Sequence, residues 1–198
     1  DIYQVLGTTS GNSGTDLSGS YIKTVASGSG GCKKIAVFSG TGKVRIPGSG
    51  CSNSTSDNLY QQLYPTGSWG KKYLTVPSYN RINNYYRIYR SNSSTNVYLN
   101  GTLIPSASFN NNFYQFFNNT PNVIEADEPI SVAQYFTTAN CDGNGSPYDP
   151  DMIMLNPVEQ NIDRVTLVSS NLVATNPQHH IHVVMRNGGT GISSFRLD

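Results

Sequence analysis

The apolar runs of this chain are short, and polar turn residues separate each run from the next. The segment 122–170 shows this most clearly, because its apolar runs at 130–136, 152–155 and 165–168 are only four to seven residues long. Runs of that length, rich in Val, Ile, Tyr and Phe, are typical of β-strands rather than helices. The pattern predicts strands that cross a sheet several times, with a long loop at 137–151 displayed at one end.

The same pattern extends along all 198 residues. It predicts about fourteen short strands and no helix longer than a couple of turns. Consecutive strands lie close in sequence, which favours antiparallel pairing. We therefore predict an all-β fold, an antiparallel β-sandwich or jelly roll. We expect a single domain over residues 1–198, with two lobes that meet near 78–84 as the alternative.

Turn residues place several of these strands. Asn100-Gly101 stands between two strand-like runs, and Asn-Gly is the preferred pair for a type I′ hairpin turn. A second hairpin is predicted for 33–39 and 43–46, with its turn at Gly40-Thr41-Gly42. Residues 57–65 fit either one short helical turn or an irregular strand. Further strands are expected near both ends of the chain, at 1–6, 21–25, 179–186 and 193–197.

The composition is that of an exported β protein. Only 13% of the residues are charged, while Asn, Ser, Thr, Gly and Tyr are abundant. No apolar run approaches the length of about 18 residues that a membrane span needs, so we expect no membrane insertion. The net charge is only +1, which argues against a nucleic-acid partner. No signal peptide is present, and both ends look cut from a longer protein.

The charges are nevertheless unevenly distributed. Residues 1–90 carry ten Lys/Arg and three Asp/Glu (+7), whereas residues 91–198 carry three Arg and nine Asp/Glu (−6). One interpretation is that the two halves pack together and their charges interleave. The other is a bipolar module that stacks head to tail with copies of itself.

Three cysteines are present, an odd number. Cys32 precedes one strand of the predicted 33–46 hairpin and Cys51 follows the other, and hairpin symmetry would bring them together. We therefore predict a Cys32–Cys51 disulfide. Cys141 would then be free, or paired with a cysteine outside this sequence.

The run 85–90 (YYRIYR) contains the candidate ligand-binding residues. Its strict alternation places Tyr85, Arg87 and Tyr89 on one face of a strand. Aromatic and Arg side chains in such a ladder can stack on glycans or bases. The alternative is that they form the solvated face of a sheet.

A calcium site is the best use of the acidic residues. Asp142, Asn144, Asp149 and Asp151 lie in one glycine-containing loop and offer hard oxygen ligands. The alternative is an ordinary cluster of turn residues. We expect no other cofactor.

No constellation points to catalysis. A nucleophile-elbow motif is absent from the sequence, and Cys141 has no basic neighbour that would lower its pKa. Glu125, Asp127 and Glu159 belong to a pool of carboxylates that a glycoside hydrolase would need, but their spacing does not mark any two as opposed across a cleft. We therefore expect no enzymatic activity.

Several segments together carry a family resemblance. They are IAVFSG (35–40), DNLYQQLYP (57–65), WGKKYLTVP (69–77), YYRIY (85–89), VYLNGT (97–102), IEADEPISVAQY (124–135), DPDMIMLNPVEQ (149–160) and ISSFRLD (192–198). In this order they resemble the IgGFc-binding protein N-terminal domain family, especially bacterial members in large surface proteins of Bacteroidetes that often carry type IX secretion signals. The resemblance implies a non-enzymatic, extracellular β module with no catalytic residues to assign.

Sequence and resemblance together give two functional hypotheses. The first is a recognition or adhesion module of a bacterial cell-surface protein that binds a protein or glycan on a cell or matrix surface. The second is an architectural segment of a surface filament or stalk that self-associates. A carbohydrate-active enzyme is a third and much weaker alternative.

Overall fold

The computed structural model describes residues 2–11, 13–26, 28–47, 56–141, 149–167, 180–185 and 187–196. Within these ranges the chain forms eleven strands, four 3₁₀ helices of three residues each and one four-residue α-helix. The bounds are β1 Thr9–Ser10, β2 Ser13–Gly14, β3 Phe38–Val44, β4 Asp57–Gln62, β5 Gly70–Thr75, β6 Asn84–Arg90, β7 Val97–Leu99, β8 Thr102–Leu103, β9 Phe113–Phe117, β10 Asn122–Phe136, β11 Asp151–Met154 and α1 Gly191–Ser194.

Strand β10 is 15 residues long and organises the main sheet. Its first half pairs with β5 and β7, and its second half pairs with β6 and β11. The register against β5 shifts between Glu125 and Ile130, where Pro129 interrupts the ladder. Proline is tolerated in a strand at such an irregularity, because the ladder there lacks a hydrogen bond anyway.

The main sheet has seven strands, ordered β8-β7-β10-β6-β9, with β5 and β11 also paired to β10. Every pairing is antiparallel. The predicted all-β antiparallel class is confirmed. The predicted single domain with a possible boundary near 78–84 stays a prediction, although β5 and β6 on either side of that segment both pair with β10.

The larger hydrophobic core draws side chains from both halves of β10. Fully buried side chains of this size each contribute roughly 1.5–3 kcal/mol relative to exposure. Strands of the first half provide Tyr73, Val97 and Ile124, and strands of the second half provide Ile88, Ile130 and Val132.

A smaller core covers the opposite face of the second half. Leu59 of β4 and Ile46 pack there against Tyr85, Ala133 and Tyr135. Backbone N–H of Ile46 donates to Thr138 Oγ1 at 2.8 Å, and Thr138 N–H donates back to the Ile46 carbonyl at 3.1 Å. The second half of β10 is therefore covered on both faces, which explains its continuous buried run.

The Asn-Gly hairpin prediction is confirmed. β7 and β8 flank Asn100-Gly101, whose φ angles of 51° and 80° are both positive, as a type I′ turn requires.

The predicted 33–46 hairpin is wrong. Gly40, Thr41 and Gly42 lie inside β3, which continues through them and pairs with β4. Gly40 faces Tyr60, and a Cβ at Gly40 would overlap the Leu59 carbonyl oxygen. Gly40 therefore serves a close approach of the two strands rather than a turn. Of the two alternatives for residues 57–65, a strand and a short helical turn, the structure has the strand, at Asp57–Gln62.

The predicted Cys32–Cys51 disulfide is wrong as well, because Cys32 is an exposed free thiol; Cys51 itself lies outside the described residues. Its Sγ lies 3.8 Å from the Thr24 carbonyl oxygen, to which it donates. The prediction depended on a turn at 40–42, which does not form, so hairpin symmetry gives Cys32 no partner. Cys141 is completely buried and disulfide-bonded, so it is not the leftover thiol either.

The strands predicted near the two ends do not form among the described residues. Residues 2–6, 21–25 and 180–185 join no sheet and are mostly exposed. Residues 191–194 form the single helical turn α1 instead of a strand. A strand needs a neighbouring strand to pair with. None of these segments pairs with a described strand, although the His180 ring stacks on Tyr79 with ring centres 4.0 Å apart.

Candidate functional site

Strand β6 brings Tyr85, Arg87 and Tyr89 onto one face, as predicted. The register places Tyr135 of β10 beside Tyr85 and Phe113 of β9 beside Tyr89. The Arg87 guanidinium carbon lies 4.7 Å from the centre of the Phe113 ring, 5.7 Å from that of Tyr135 and 5.8 Å from that of Tyr85. These residues form an arginine held among aromatic rings, which we call the Arg87 cluster.

A distant acidic residue closes the Arg87 cluster. Arg87 Nη1 donates to Asp16 Oδ2 and to Ser18 Oγ, both at 2.8 Å. Burial alone would raise the pKa of the Asp16 carboxyl, but hydrogen bonds from Ser18 and the charge of Arg87 outweigh it and lower that pKa. Asp16 is therefore ionised at neutral pH and forms a true ion pair.

Tyr85 and Tyr135 stay protonated. Burial raises the pKa of Tyr135 above its usual value, and its hydroxyl lies 3.0 Å from that of Tyr89. Burial likewise raises the pKa of Tyr85, although the hydrogen bond from Arg87 acts against it. Arg87 is thus a fixed positive charge among neutral aromatic rings that already holds one anion, the Asp16 carboxylate.

The Arg87 cluster is more covered than a solvated ladder would be. Tyr85 and Tyr135 are each only 7% exposed, and the Arg87 side chain is 19% exposed. The ligand-binding role of Tyr85, Arg87 and Tyr89 stays a prediction.

An open aromatic pair lies on β3 and β4, and sequence reasoning missed it. Phe38 and Tyr60 stack with ring centres 5.4 Å apart and planes within 6°, and the side chains are 51% and 69% exposed. In register, Gln62 pairs with Phe38 on this outer face. The inner face carries the buried Leu59 instead.

The segment 157–160 (PVEQ) holds the start of β5 in place. Lys71 N–H donates to Glu159 Oε1 at 2.7 Å, and Gln160 Nε2 donates to the Ser68 carbonyl at 2.6 Å. Gly70 lies directly against Pro157 and Glu159, with no space for a Cβ. This motif, which we call the PVEQ clasp, therefore has a structural role.

Tyr73 connects the PVEQ clasp to β10. Its hydroxyl accepts from Gly70 N–H at 3.2 Å and donates to the Ile130 carbonyl at 2.7 Å. Burial raises the pKa of Tyr73 to about 12.

This raised pKa predicts a loss of stability at alkaline pH. Below pH 10 the phenol is protonated in both the folded and the unfolded chain, so its contribution is constant. Between pH 10 and 12 only the unfolded chain ionises, so the free energy of unfolding falls by roughly 2–3 kcal/mol. Urea denaturation at pH 8 to 11.5 should show that the free energy of unfolding falls more steeply with pH for wild type than for Tyr73→Phe. Equal slopes would contradict the prediction.

The acidic residues considered for hydrolysis all have structural partners. Glu125 pairs with Lys72 at 2.8 Å, and Glu159 belongs to the PVEQ clasp. Asp127 accepts from Asn96 N–H at 2.9 Å and from Asn96 Nδ2 at 2.7 Å, and the hydrogen bonds from Asn96 lower its pKa. Glu125 and Asp127 brace the interruption in β10.

Only two of the four residues predicted to bind calcium lie within the described part of the chain. Asp149 and Asp151 are exposed, and Asp151 Oδ1 accepts from Met152 N–H at 2.7 Å. Asp142 and Asn144 lie outside the described residues. Among the residues described, no three His, Cys, Asp or Glu side chains converge as a metal site would require. The calcium site stays a prediction.

Comparison with known proteins gives one decisive result. The family model described as IgGFc binding protein matches residues 1–198, the whole chain. The chain belongs to the IgGFc-binding protein family. This confirms the resemblance carried by the motifs, while the bacterial origin stays a prediction. Comparisons with curated proteins and with solved structures find no match for this IgGFc-binding family member.

Membership of the IgGFc-binding family carries a coarse function. The family is a binding, non-enzymatic family of mostly extracellular proteins. None of the helices in the described ranges has the length and apolar character needed to cross a bilayer. Family membership thus places the chain among binding proteins that are mostly extracellular.

Proposed function

We propose that this IgGFc-binding family chain is a recognition or adhesion module of a large bacterial cell-surface protein. It binds a protein or glycan on a cell or matrix surface and carries out no reaction. The observation that supports this most strongly is the exposed Phe38–Tyr60 pair.

Two stacked aromatic rings that face solvent favour a contact surface. Aromatic side chains dominate recognition interfaces because each buries a large area at little entropic cost. Covering about half of the area that Phe38 and Tyr60 now expose would contribute roughly 3 kcal/mol. The outer face also presents the amides of Asn58 and Gln62, which bond no described residue and remain available to a ligand.

The experiment is a binding screen of the chain against a glycan array and a panel of surface and matrix proteins, with the Fc region of IgG included. We expect at least one ligand, with Phe38→Ala/Tyr60→Ala weakening its affinity by about tenfold or more. Tyr98→Ala, which removes a 37% exposed tyrosine on β7, is the matched control and should leave binding unchanged. No binding at high micromolar concentration would contradict the proposal.

A second candidate function is self-association as part of a filament or stalk. Ile2, Tyr3, Val5 and Leu6 are 76–98% exposed, and apolar extended segments of this kind can pair with another copy. The opposite net charges of the two halves would favour head-to-tail contact. Light scattering over a concentration series tests this, since an architectural segment should assemble while a recognition module should remain small.

A further inference from the structure

The Arg87 guanidinium is positioned before any ligand arrives. Three strands contribute to its setting, because Phe113, Tyr85 and Tyr135 stand on β9, β6 and β10. Their ring centres lie 4.7–5.8 Å from the guanidinium carbon. Tyr135 and Tyr85 also belong to the smaller core. A guanidinium held by paired strands and a packed core loses little freedom on binding an anion.

The donors of Arg87 are only partly used. Nη1 donates to both Asp16 and Ser18, and Nε makes a long contact of 3.4 Å to the Tyr85 hydroxyl. Nη2 donates to none of the described residues and is not among the buried atoms that lack a partner. Asp16 therefore engages one nitrogen, whereas a guanidinium can bind a carboxylate through two parallel hydrogen bonds.

Asp16 reaches the cluster from outside the main sheet. Its segment forms the small β1–β2 hairpin, which pairs with no strand of the seven-stranded sheet. All described residues of 8–17 are exposed, and the Asp16 side chain itself is 48% exposed. An ion pair whose carboxylate is half-exposed contributes only modestly to stability. An incoming carboxylate can therefore replace Asp16 without disturbing the sheet.

The surroundings of Arg87 match a ring that bears hydroxyl groups. Phe117 of β9 is 50% exposed and packs against Tyr85, with ring centres 4.7 Å apart. Gln115 is exposed and lies opposite Arg87 in register; its Oε1 accepts from the Tyr85 hydroxyl, and its Nε2 adds a donor. An exposed aromatic face beside an amide and a cation fits a sugar with a carboxylate better than an acidic peptide side chain, which offers no ring to stack.

From this geometry we propose that Arg87 forms a subsite for the carboxylate of an acidic sugar, of the hexuronic or sialic acid class. Asp16 occupies this subsite until the sugar displaces it. The inference deepens the proposed recognition function and rests on it for the premise that the chain binds an external ligand.

The test compares wild type with Asp16→Asn, titrated with glucuronate and with N-acetylneuraminate and followed by NMR. The amide keeps an oxygen for the 2.9 Å hydrogen bond from Ser18 N–H but removes the competing charge. We expect Asp16→Asn to bind one of these sugars about tenfold more tightly, since the internal competitor is weakened. Asp57→Asn, an exposed substitution on β4, is the matched control and should match wild type.

Two further arms make the outcome decisive. Arg87→Gln should abolish binding. Arg87→Lys keeps the charge and should retain part of the binding, so it serves as the test if Arg87→Gln does not fold. Glucose, which lacks the carboxylate, should not bind. Equal affinity of wild type and Asp16→Asn, equal binding of glucose, or preference for an N-acetyl-glutamate amide over both sugars would overturn the inference. If the sugar titrations give these negative results while another ligand still needs Phe38 and Tyr60 for binding, the acidic-sugar subsite is excluded and the proposed recognition function stands.

Discussion

Replacing Gly70 with alanine is expected to lower the free energy of unfolding by about 2–4 kcal/mol. A Cβ at this position would lie 2.6 Å from Glu159 Oε2 and 2.8 Å from Pro157 Cγ, closer than real side chains approach. The PVEQ clasp must therefore move away from β5. That movement lengthens the hydrogen bond from Lys71 N–H to Glu159 and the one from Gln160 to Ser68.

Chemical denaturation of the purified variant measures this loss. Gly67→Ala is the matched control, because a Cβ there would meet nothing within 4 Å and the φ of Gly67 is not positive. We expect the control to unfold within about 0.5 kcal/mol of wild type. If Gly70→Ala were as stable as Gly67→Ala, the PVEQ clasp would not hold β5 in the way described.

Replacing Asn122 with alanine is expected to cost about 3–4 kcal/mol. Asn122 is 2% exposed and joins several chain segments. Its Nδ2 donates to Thr75 Oγ1 at 2.9 Å and to the Thr120 carbonyl at 3.0 Å, while its Oδ1 accepts from Asn100 at 3.1 Å and from Asn118. Alanine removes all four bonds and leaves the buried Thr75 hydroxyl without this partner.

Thermal and urea unfolding of Asn122→Ala provide the measurement. Asn156→Ala is the control, because Asn156 is exposed and bonds none of the described residues. The variant should also lose protection of the β7–β8 hairpin against hydrogen exchange, since Asn100 is the turn residue bound by Asn122. Equal stability of the two variants would exclude a central role for this asparagine.

Local chemistry explains what the sequence could predict. The Asn100-Gly101 turn depends only on two residues that accept positive φ, so it is readable from the sequence alone. The alternation in 85–90 likewise places Tyr85, Arg87 and Tyr89 on one face whatever the strand pairs with. The apolar runs along β10 predict strands, although not that Asn122–Phe136 is one continuous strand through Pro129.

Long-range pairing explains what the sequence could not predict. Gly40-Thr41-Gly42 looks like a turn until β4, some twenty residues further on, is known to pair across it. The hairpin prediction did not pair β3 with β4, so it hid the stacking of Phe38 on Tyr60. The same error supplied the mistaken geometric basis for pairing Cys32 with Cys51.

The content of the site depends on even more distant contacts. Asp16 and Arg87 are 71 residues apart, and no local pattern links an exposed glycine-rich hairpin to an arginine on β6. The PVEQ clasp and Gly70 are separated by a similar distance. The PVEQ motif is visible in the sequence. Its structural role depends on the hydrogen bond between Glu159 and Lys71, which are 88 residues apart.

The most direct test of the recognition surface is an NMR titration of the chain with the ligand found in the binding screen. The Phe38 and Tyr60 ring signals, resolved by selective labelling, should shift most strongly, together with the backbone amides of β3 and β4. The Phe38→Ala/Tyr60→Ala variant should lose these shifts and the affinity with them. Shifts confined to other strands, with unchanged Phe38 and Tyr60 rings at saturation, would contradict the account.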